Sequence, residues 1–399
     1  MLPPAPALIG SRAGATRRFG RGGLDLATRA ARAASAAALI ALALGPAAAA
    51  GALAPARVER VSVHGLQGGP ATFRDAVLGG RRHLAGLSRP GRWGGQTLSE
   101  TGEAVNVEFS DAYPVDPGAQ QQIADFVTSL YHGSELSLAT FYFAPLTEIG
   151  QLCGTGAEGC YFSSEGLIVA PGEDLPDGTS VETIVAHEFG HHIAAHRDNG
   201  PWNALTWGAK RWASYESICS RQAIGTAFPS DESDHYSLNP GEGWAETYRL
   251  LNFERYTGDG WLPAPWNADQ SFYPDAGALA AAREDVLRPW SGPRVTSWTS
   301  PIGPQAPYRP PRLKKKRRLQ AAGPYRLVRT LATPDDGVLT IALRRAPAGT
   351  TLALSEPEGE ILVPAQPGSL SYTVCGSRTL RLTVTSPVAG QLTAAISTP

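Results

Sequence analysis

The pentapeptide His187-Glu188-Phe189-Gly190-His191 places two histidines four residues apart, with a glutamate directly after the first. Residues four apart lie one above the other on an α-helix, so the two imidazoles can bind one zinc ion. Glu188 projects about 100° round the helix from His187, beside the metal without being a ligand. A general base that acts on zinc-bound water needs this position. The pattern predicts a catalytic zinc site with His187 and His191 as ligands and Glu188 as the base.

The residues on either side predict a helix of about five turns. Thr179-Ser180-Val181-Glu182 has the form of a capping box with Thr179 as the N-cap. Asn199-Gly200-Pro201 supplies a stop signal. His192 and His196 point away from His187 on this helix, so we expect them to be polar or packing residues and not metal ligands.

A third ligand must come from another segment, because catalytic zinc keeps three protein ligands and one open position. The best candidates are Glu242 and Glu246 in the segment NPGEGWAETYR, residues 239–249. They face the same way if the segment is helical, and Pro240 suits the start of a helix. One carboxylate can bind the metal while the other accepts the second ring N–H of a ligating histidine. Taken alone, the segment fits equally well a solvated helix face with two exposed glutamates.

The pattern HExxH followed by Glu-x-x-x-Glu resembles the gluzincin group of zinc metallopeptidases, which includes thermolysin-like enzymes and anthrax lethal factor. The likeness is closest to the lethal-factor type and covers roughly residues 104–290. It implies an α+β zincin-like catalytic domain, with a mixed sheet and an active-site helix. It further implies that Glu242 is the third ligand of a single Zn²⁺ ion and that Glu246 is the partner of His187.

The resemblance also implies where substrate binds. Residues 159–163 and 167–170 are similar to the edge strand and inner strand of the family. The edge strand pairs with extended substrate backbone, a role that falls here to the main chain of Tyr161, Phe162 and Ser163. Gluzincins also place a tyrosine or histidine to stabilise the oxyanion of the tetrahedral intermediate. Tyr236 is the candidate and His235 the alternative, while a tyrosine of the core or of a loop would explain the residue as well.

The N-terminus predicts export. Six arginines precede an uncharged stretch from Ala33 to Ala56, which is typical of a signal peptide or membrane anchor within residues 1–54. The excess of positive charge before that stretch places the later domains outside the cytoplasm. After signal cleavage we expect no membrane contact, because no other stretch is long and apolar enough to span a bilayer. The formal net charge of −1 indicates no general attraction to nucleic acid. The oligomeric state is left open.

Four cysteines are interpretable in an oxidising compartment. Cys153 and Cys160 lie close together in a glycine-rich loop, and a disulfide between them would brace the edge strand. Cys219 and Cys375 either bridge the catalytic and C-terminal domains or stay free, since connectivity does not follow from sequence. A zinc site built from these cysteines is not expected, because the chain has no C-x-x-C pair.

The remaining segments predict the domain organisation. Residues 55–103, rich in glycine and arginine, are predicted to be a linker or propeptide. Within the catalytic domain, helices are predicted over 117–131, 202–219 and 275–288, and strands over 105–109 and 136–143. Residues 291–322 form a proline-rich linker with the basic run Lys314–Arg318. Short runs of β-formers over 323–399 predict a small all-β sandwich as an accessory domain.

The sequence therefore predicts a secreted zinc-dependent endopeptidase whose partner is a peptide or protein substrate. Two alternatives remain. One is a catalytically inactive zincin-like surface-binding protein whose β domain carries the function. The other is a lipid or cell-wall amide hydrolase on the same scaffold.

Overall fold

A computed structural model of the chain describes residues 75–79, 91–258, 263, 268–304 and 324–399. These residues belong to one compact unit that spans Leu66–Pro399. The predicted signal or anchor (residues 1–54) and the basic run Lys314–Arg318 lie outside the described residues. Within the described ranges, no helix has both the length and the apolar character that a membrane span requires.

A six-stranded mixed sheet forms the first part of the unit. Three adjacent strands run parallel to one another, and the strand on each side of these three runs antiparallel to its neighbour among them. The sixth strand lies at one edge and runs parallel to the strand beside it. In chain order the strands are β1 (Val77–Leu78), β2 (Arg92–Leu98), β3 (Ala104–Ser110), β4 (Thr140–Ala144), β5 (Cys160–Phe162) and β6 (Leu167–Pro171), and their order in the sheet is β1-β5-β6-β4-β3-β2.

The sheet begins before residue 104. Strands β1 and β2 fall in residues 55–103, where the sequence predicts a linker or propeptide, so the structure differs there from a plain linker. The ring of Trp93 stacks on Phe109, with 4.5 Å between centroids. A Cβ atom on Gly94 would lie 2.5 Å from the carbonyl oxygen of Val107, so only glycine fits this close pairing. Glycines are uncommon in strands, which is why the composition of β2 indicates no strand.

Helices cover both sides of the sheet. The helices predicted over 117–131 and 275–288 are confirmed within a few residues. The helix predicted over 202–219 is instead three short helices, because Gly208 and Ser217 take positive φ and interrupt it. The strand predicted over 136–143 begins as a 3₁₀ turn. The helices are α1 (Pro117–Ser129), α2 (Leu146–Cys153), α3 (Val181–Ala195), α4 (Ala204–Trp207), α5 (Lys210–Tyr215), α6 (Ile218–Ala223), α7 (Pro240–Thr257) and α8 (Ala276–Leu287).

Helix α3 carries the HExxH motif and is shorter than predicted, with about four turns. Its N-cap is Ser180, whose hydroxyl accepts the Thr183 N–H at 3.3 Å, so Thr179 is not the cap. Thr179 belongs to the preceding turn, where its own N–H donates to the Asp177 carboxylate at 2.9 Å. The stop signal at 199–201 lies beyond the helix end, in a small hairpin of β7 (Asp198–Asn199) and β8 (Trp202–Asn203).

The C-terminal part consists of two four-stranded antiparallel sheets that share one apolar core. The predicted linker 291–322 contributes the strand β9, which pairs with β16 along its whole length, so this part begins well before residue 323. Strand β13 carries no clear β pattern and the sequence does not predict it. The strands are β9 (Arg294–Ile302), β10 (Tyr325–Thr333), β11 (Gly337–Arg345), β12 (Thr351–Ser355), β13 (Ile361–Pro367), β14 (Ser369–Val374), β15 (Arg378–Ser386) and β16 (Gly390–Thr398).

All four cysteines form disulfides. Cys153–Cys160 joins the end of α2 to the start of β5, as predicted. Cys219–Cys375 joins α6 to the end of β14, which decides between the two alternatives left open by the sequence. Two disulfides and no free cysteine suggest an oxidising compartment outside the cytoplasm.

Candidate metal centre

Helices α3 and α7 and the segment just before β1 bring four ligand-type side chains to one buried point. They are His187 and His191 from α3, Glu242 from α7, and Asp75. Their ligand atoms all lie within 4.8 Å of one another. All four side chains are inaccessible to solvent. The structure therefore brings together the three ligand residues predicted from sequence and adds a fourth.

The spacing of the donor atoms suits a metal ion. The two Nε2 atoms lie 3.2 Å apart, and Oδ2 of Asp75 lies 3.2 and 3.1 Å from those of His187 and His191. Oε2 of Glu242 lies 3.3 and 3.6 Å from the same atoms. Tetrahedral ligands about 2.0–2.1 Å from a zinc ion would be roughly 3.3 Å apart. The four residues could thus hold a metal ion, and the geometry alone does not identify which one.

The orientation of His187 is set by a partner on α7. Nδ1 of His187 lies 3.3 Å from Oε2 of Glu246. A carboxylate accepts, so the ring proton is on Nδ1 and the lone pair of Nε2 points into the cluster. Arg249 donates two hydrogen bonds to Glu246, at 3.0 and 2.6 Å. Burial alone would raise the pKa of Glu246, but the Arg249 charge and the His187 contact lower it to about 2.

The site concentrates buried acidic side chains. Besides the paired Glu246, it contains the carboxylates of Asp75, Glu188 and Glu242, all inaccessible to solvent. Burial raises the pKa of Glu188 well above its usual range, and the nearby Asp75 charge raises it further. Burial lowers the pKa of His191, but the carboxylates of Glu242 and Asp75 outweigh it and raise this pKa to about 10. Buried charges require compensation, and a divalent cation held by these side chains would provide it.

Glu188 lies beside the cluster and not in it. Both of its carboxylate oxygens are buried, and neither has a hydrogen-bond partner among the described residues. The neighbouring strand leaves little room there, since a Cβ atom on Gly159 would lie 2.7 Å from Oε1 of Glu188. Buried polar atoms are normally hydrogen-bonded, so this carboxylate is placed to receive a partner that none of the described residues supplies.

A glycine of the motif allows α7 to approach α3. A Cβ atom on Gly190 would lie 2.9 Å from Cα of Ala245 and 3.1 Å from its carbonyl oxygen. Trp244 donates its indole N–H to the Gly190 carbonyl oxygen at 2.9 Å. Ala245 lies between Glu242 and Glu246 in sequence, so this close helix contact brings both carboxylates to the histidines.

Of the two candidates for the oxyanion role, Tyr236 lies at the cluster. Its hydroxyl group lies 3.1 Å from Oε2 of Glu242 and donates to Oδ1 of Asp75. His235 points into the preceding loop, where its ring stacks on Phe228 and its Nδ1 lies 2.8 Å from the Asp231 carboxylate.

The predicted substrate strand β5 pairs with β6 on one side and with β1 on the other. The N–H groups of Tyr161 and Ser163 donate to the carbonyl oxygens of Ala76 and Leu78, both at 3.1 Å. The side chains of Tyr161 and Phe162 are buried. Among the described residues β5 is therefore not an open edge, because β1 lies against it.

His192 of α3 and His196, the residue directly after α3, are packing residues, as predicted. Nε2 of His192 lies 2.8 Å from the Glu135 carbonyl oxygen, and its Nδ1 lies 3.2 Å from the Tyr161 hydroxyl group. Burial lowers the pKa of His192 to about 4, so it is neutral at physiological pH. Nδ1 of His196 bonds the carbonyl oxygen of His192.

Asp75 is the member of the cluster that the sequence does not reveal. It is a single acidic residue in a segment without periodicity, 112 and 116 positions from the two histidines it meets. The Glu246–Arg249 pair, in contrast, has a helical spacing that could have been recognised.

No family model matches this chain, and no curated protein matches it. The function is therefore inferred from the chemistry of the site.

Proposed function

We propose that this protein is a secreted zinc-dependent endopeptidase of the gluzincin type. The observation that carries the proposal is the convergence of His187, His191 and Glu242, with the buried carboxylate of Glu188 beside them. Two histidines and a glutamate are one of the ligand sets of catalytic zinc in peptidases. The hydrogen bond from His187 to Glu246 provides the outer support that such ligands require.

Each remaining group has a role in peptide hydrolysis. A zinc ion bound to these three residues would supply Lewis-acid chemistry, polarising a carbonyl group and making water more acidic. Glu188 takes a proton from the attacking water and then delivers it to the leaving amine. Tyr236 donates its hydroxyl hydrogen to the oxygen atom that gains negative charge. An extended peptide would accept hydrogen bonds from the main chain of β5, at Tyr161 and Ser163, in place of β1, which occupies these N–H groups in the structure.

Export is the expected setting for this chemistry. The basic and then apolar N-terminus has the composition of a signal sequence, and both disulfides fit an oxidising compartment.

A second candidate function is favoured by Asp75. A fourth protein ligand would complete a tetrahedral site of the structural kind, which keeps no open position. The protein would then be a catalytically inactive zincin-like protein whose β domain, residues 294–399, binds a surface. This alternative predicts no hydrolysis by any form of the chain.

The test is metal analysis of the purified secreted protein, with peptide-library cleavage measured with and without chelator. Lipid and cell-wall amides belong in the same substrate panel. Because Asp75 lies against both imidazoles, the wild-type chain and an Asp75→Ala variant are assayed in parallel. We expect one zinc ion per chain and, at least in the variant, peptide cleavage that chelator abolishes.

Within the Asp75→Ala background, Glu188→Gln should keep its zinc and lose about 10²–10⁴-fold in rate, the usual contribution of a general acid–base group. Glu182→Gln, on the same helix but outside the cluster, is the matched control and should keep full activity. A zinc-loaded Glu188→Gln chain that cleaves peptides at the unsubstituted rate would falsify the proposal. So would zinc-loaded Asp75→Ala protein that cleaves no peptide.

A further inference from the structure

The segment around Asp75 lies where the proposed substrate would bind. Strand β1 runs parallel to β5 and uses the two main-chain N–H groups assigned to substrate, those of Tyr161 and Ser163. Val77 packs against the core that contains α3, and Leu78 packs against the core beneath the other face of the sheet. The segment is thus held by apolar contacts as well as by the sheet.

Asp75 itself engages the groups that the proposed chemistry needs. Oδ2 lies 3.2 and 3.1 Å from the Nε2 atoms of His187 and His191, and Oδ1 accepts the hydroxyl hydrogen of Tyr236. Asp75 presents a carboxylate to the imidazoles. Because a carboxylate contains no amide bond, the proposed reaction could not hydrolyse it. Catalytic zinc keeps one position open, and Asp75 adds a fourth donor to a set of three.

We propose that residues 75–78 are an autoinhibitory segment, in which Asp75 takes the open position of the metal and β1 covers the substrate-binding side of β5. The inference rests on the proposed function, since only a catalytic site needs that position open. The chain as folded is then latent, and activity requires displacement of the Asp75 carboxylate. No cysteine precedes Cys153, so the inhibitory ligand of this chain is a carboxylate and not a thiolate.

Access to the metal can be measured without any substrate. The full-length chain is loaded with Co²⁺, whose visible absorption responds to its ligands, and is titrated with acetohydroxamate, a small chelating ligand. A tethered competitor acts at an effective concentration in the millimolar range, so we expect Asp75→Ala to bind the hydroxamate at least about 10-fold more tightly than wild type. Asp75→Asn, which keeps the shape of the side chain, should also bind the hydroxamate more tightly than wild type. This variant provides the test if the alanine variant does not fold.

The matched control is Asp111→Ala, an exposed aspartate outside the cluster, which should titrate like wild type. Hydrogen exchange of the Tyr161 and Ser163 amides gives a second measurement, and both should exchange faster in Asp75→Ala. Equal hydroxamate affinity in wild type and both Asp75 variants would overturn the inhibitory role, whether or not peptides are cleaved. If the variants bind the hydroxamate more tightly but cleave no peptide, Asp75 does block access to the metal, and the proposed peptidase activity is wrong.

Discussion

At the residue scale, Glu246 connects the metal centre to an ion pair. It accepts from His187 on one side and from Arg249 on the other, and all three side chains are almost completely buried. Partners that orient a metal-binding histidine commonly contribute 10–100-fold to metal affinity. Glu246 is therefore expected to affect metal affinity, although its carboxylate lies outside the cluster of four.

We predict that Glu246→Gln weakens zinc binding by about 10–100-fold, because the amide is a poorer acceptor and leaves the Arg249 charge without its counter-ion. Competition with a chromophoric chelator measures the affinity. Glu254→Gln, an exposed position on the same helix, should leave it unchanged. Equal zinc affinity in Glu246→Gln and Glu254→Gln would mean that zinc binding by His187 does not depend on the contact between its Nδ1 and Glu246.

The residues of the site differ in how far sequence can predict them. His187, His191 and Glu188 belong to one helical repeat. The spacing of Glu242 and Glu246 marks both as candidates, and the resemblance to gluzincins is what assigns Glu242 as the ligand. Asp75 has no such relation to any neighbour. Its position depends on the pairing of β1 with β5, a contact between residues more than 80 positions apart. Local patterns contain no information about such contacts.

At the element scale, the pairing of α3 with α7 depends on the absence of a side chain at Gly190. The groups that a Cβ atom would meet are backbone atoms of Ala245, which cannot move without displacing α7. The same displacement would move Glu242 away from the histidines.

Substitution of Gly190 by alanine should therefore destabilise the protein by about 1–3 kcal/mol, the usual cost of overpacking, despite the better helix propensity of alanine. Zinc affinity should fall with it. Gly150→Ala is the matched control, because Gly150 lies in α2 with open space around its Cα, and it should gain about 0.4–1 kcal/mol. Urea unfolding gives both values, and a Gly190→Ala chain at least as stable as wild type would show that α7 can move at little cost.

Element boundaries show where sequence patterns stop being informative. The HExxH spacing and the cap and stop signals on either side predict helix α3, but Thr179 and Ser180 are both good N-caps. The choice between them depends on the Asp177 carboxylate, which binds the Thr179 N–H. The sequence does not predict strand β2 for a different reason. Its two adjacent glycines have no side chains, so the alternation of apolar and polar residues that indicates a strand is absent.

At the scale of the whole molecule, the part that contains the metal-type cluster and the C-terminal β part are joined near α5 and α6. The Asp336 N–H donates to the hydroxyl group of Ser214 at 2.8 Å, close to the Cys219–Cys375 disulfide. The ammonium group of Lys210 donates to the Gly200 carbonyl oxygen at 2.9 Å and also faces the β part, since a Cβ atom on Gly337 would lie 2.9 Å from its nitrogen. The sequence left this connection open, because it depends on contacts between residues far apart in the chain.

The two disulfides should contribute unequally to stability. Cys219 and Cys375 are 156 positions apart, whereas Cys153 and Cys160 are separated by 7. A cross-link stabilises a protein mainly by restricting its unfolded chain, and the chain-entropy model gives the longer loop roughly twice the effect of the shorter one. We predict that replacing Cys219 and Cys375 by serine lowers the free energy of unfolding by about 2–4 kcal/mol, and that the same change at Cys153 and Cys160 costs less. Guanidinium unfolding with chelator present removes the metal contribution from both measurements. A larger loss from the short loop would mean that bracing of β5 in the folded state, and not restriction of the unfolded chain, is what the disulfides contribute.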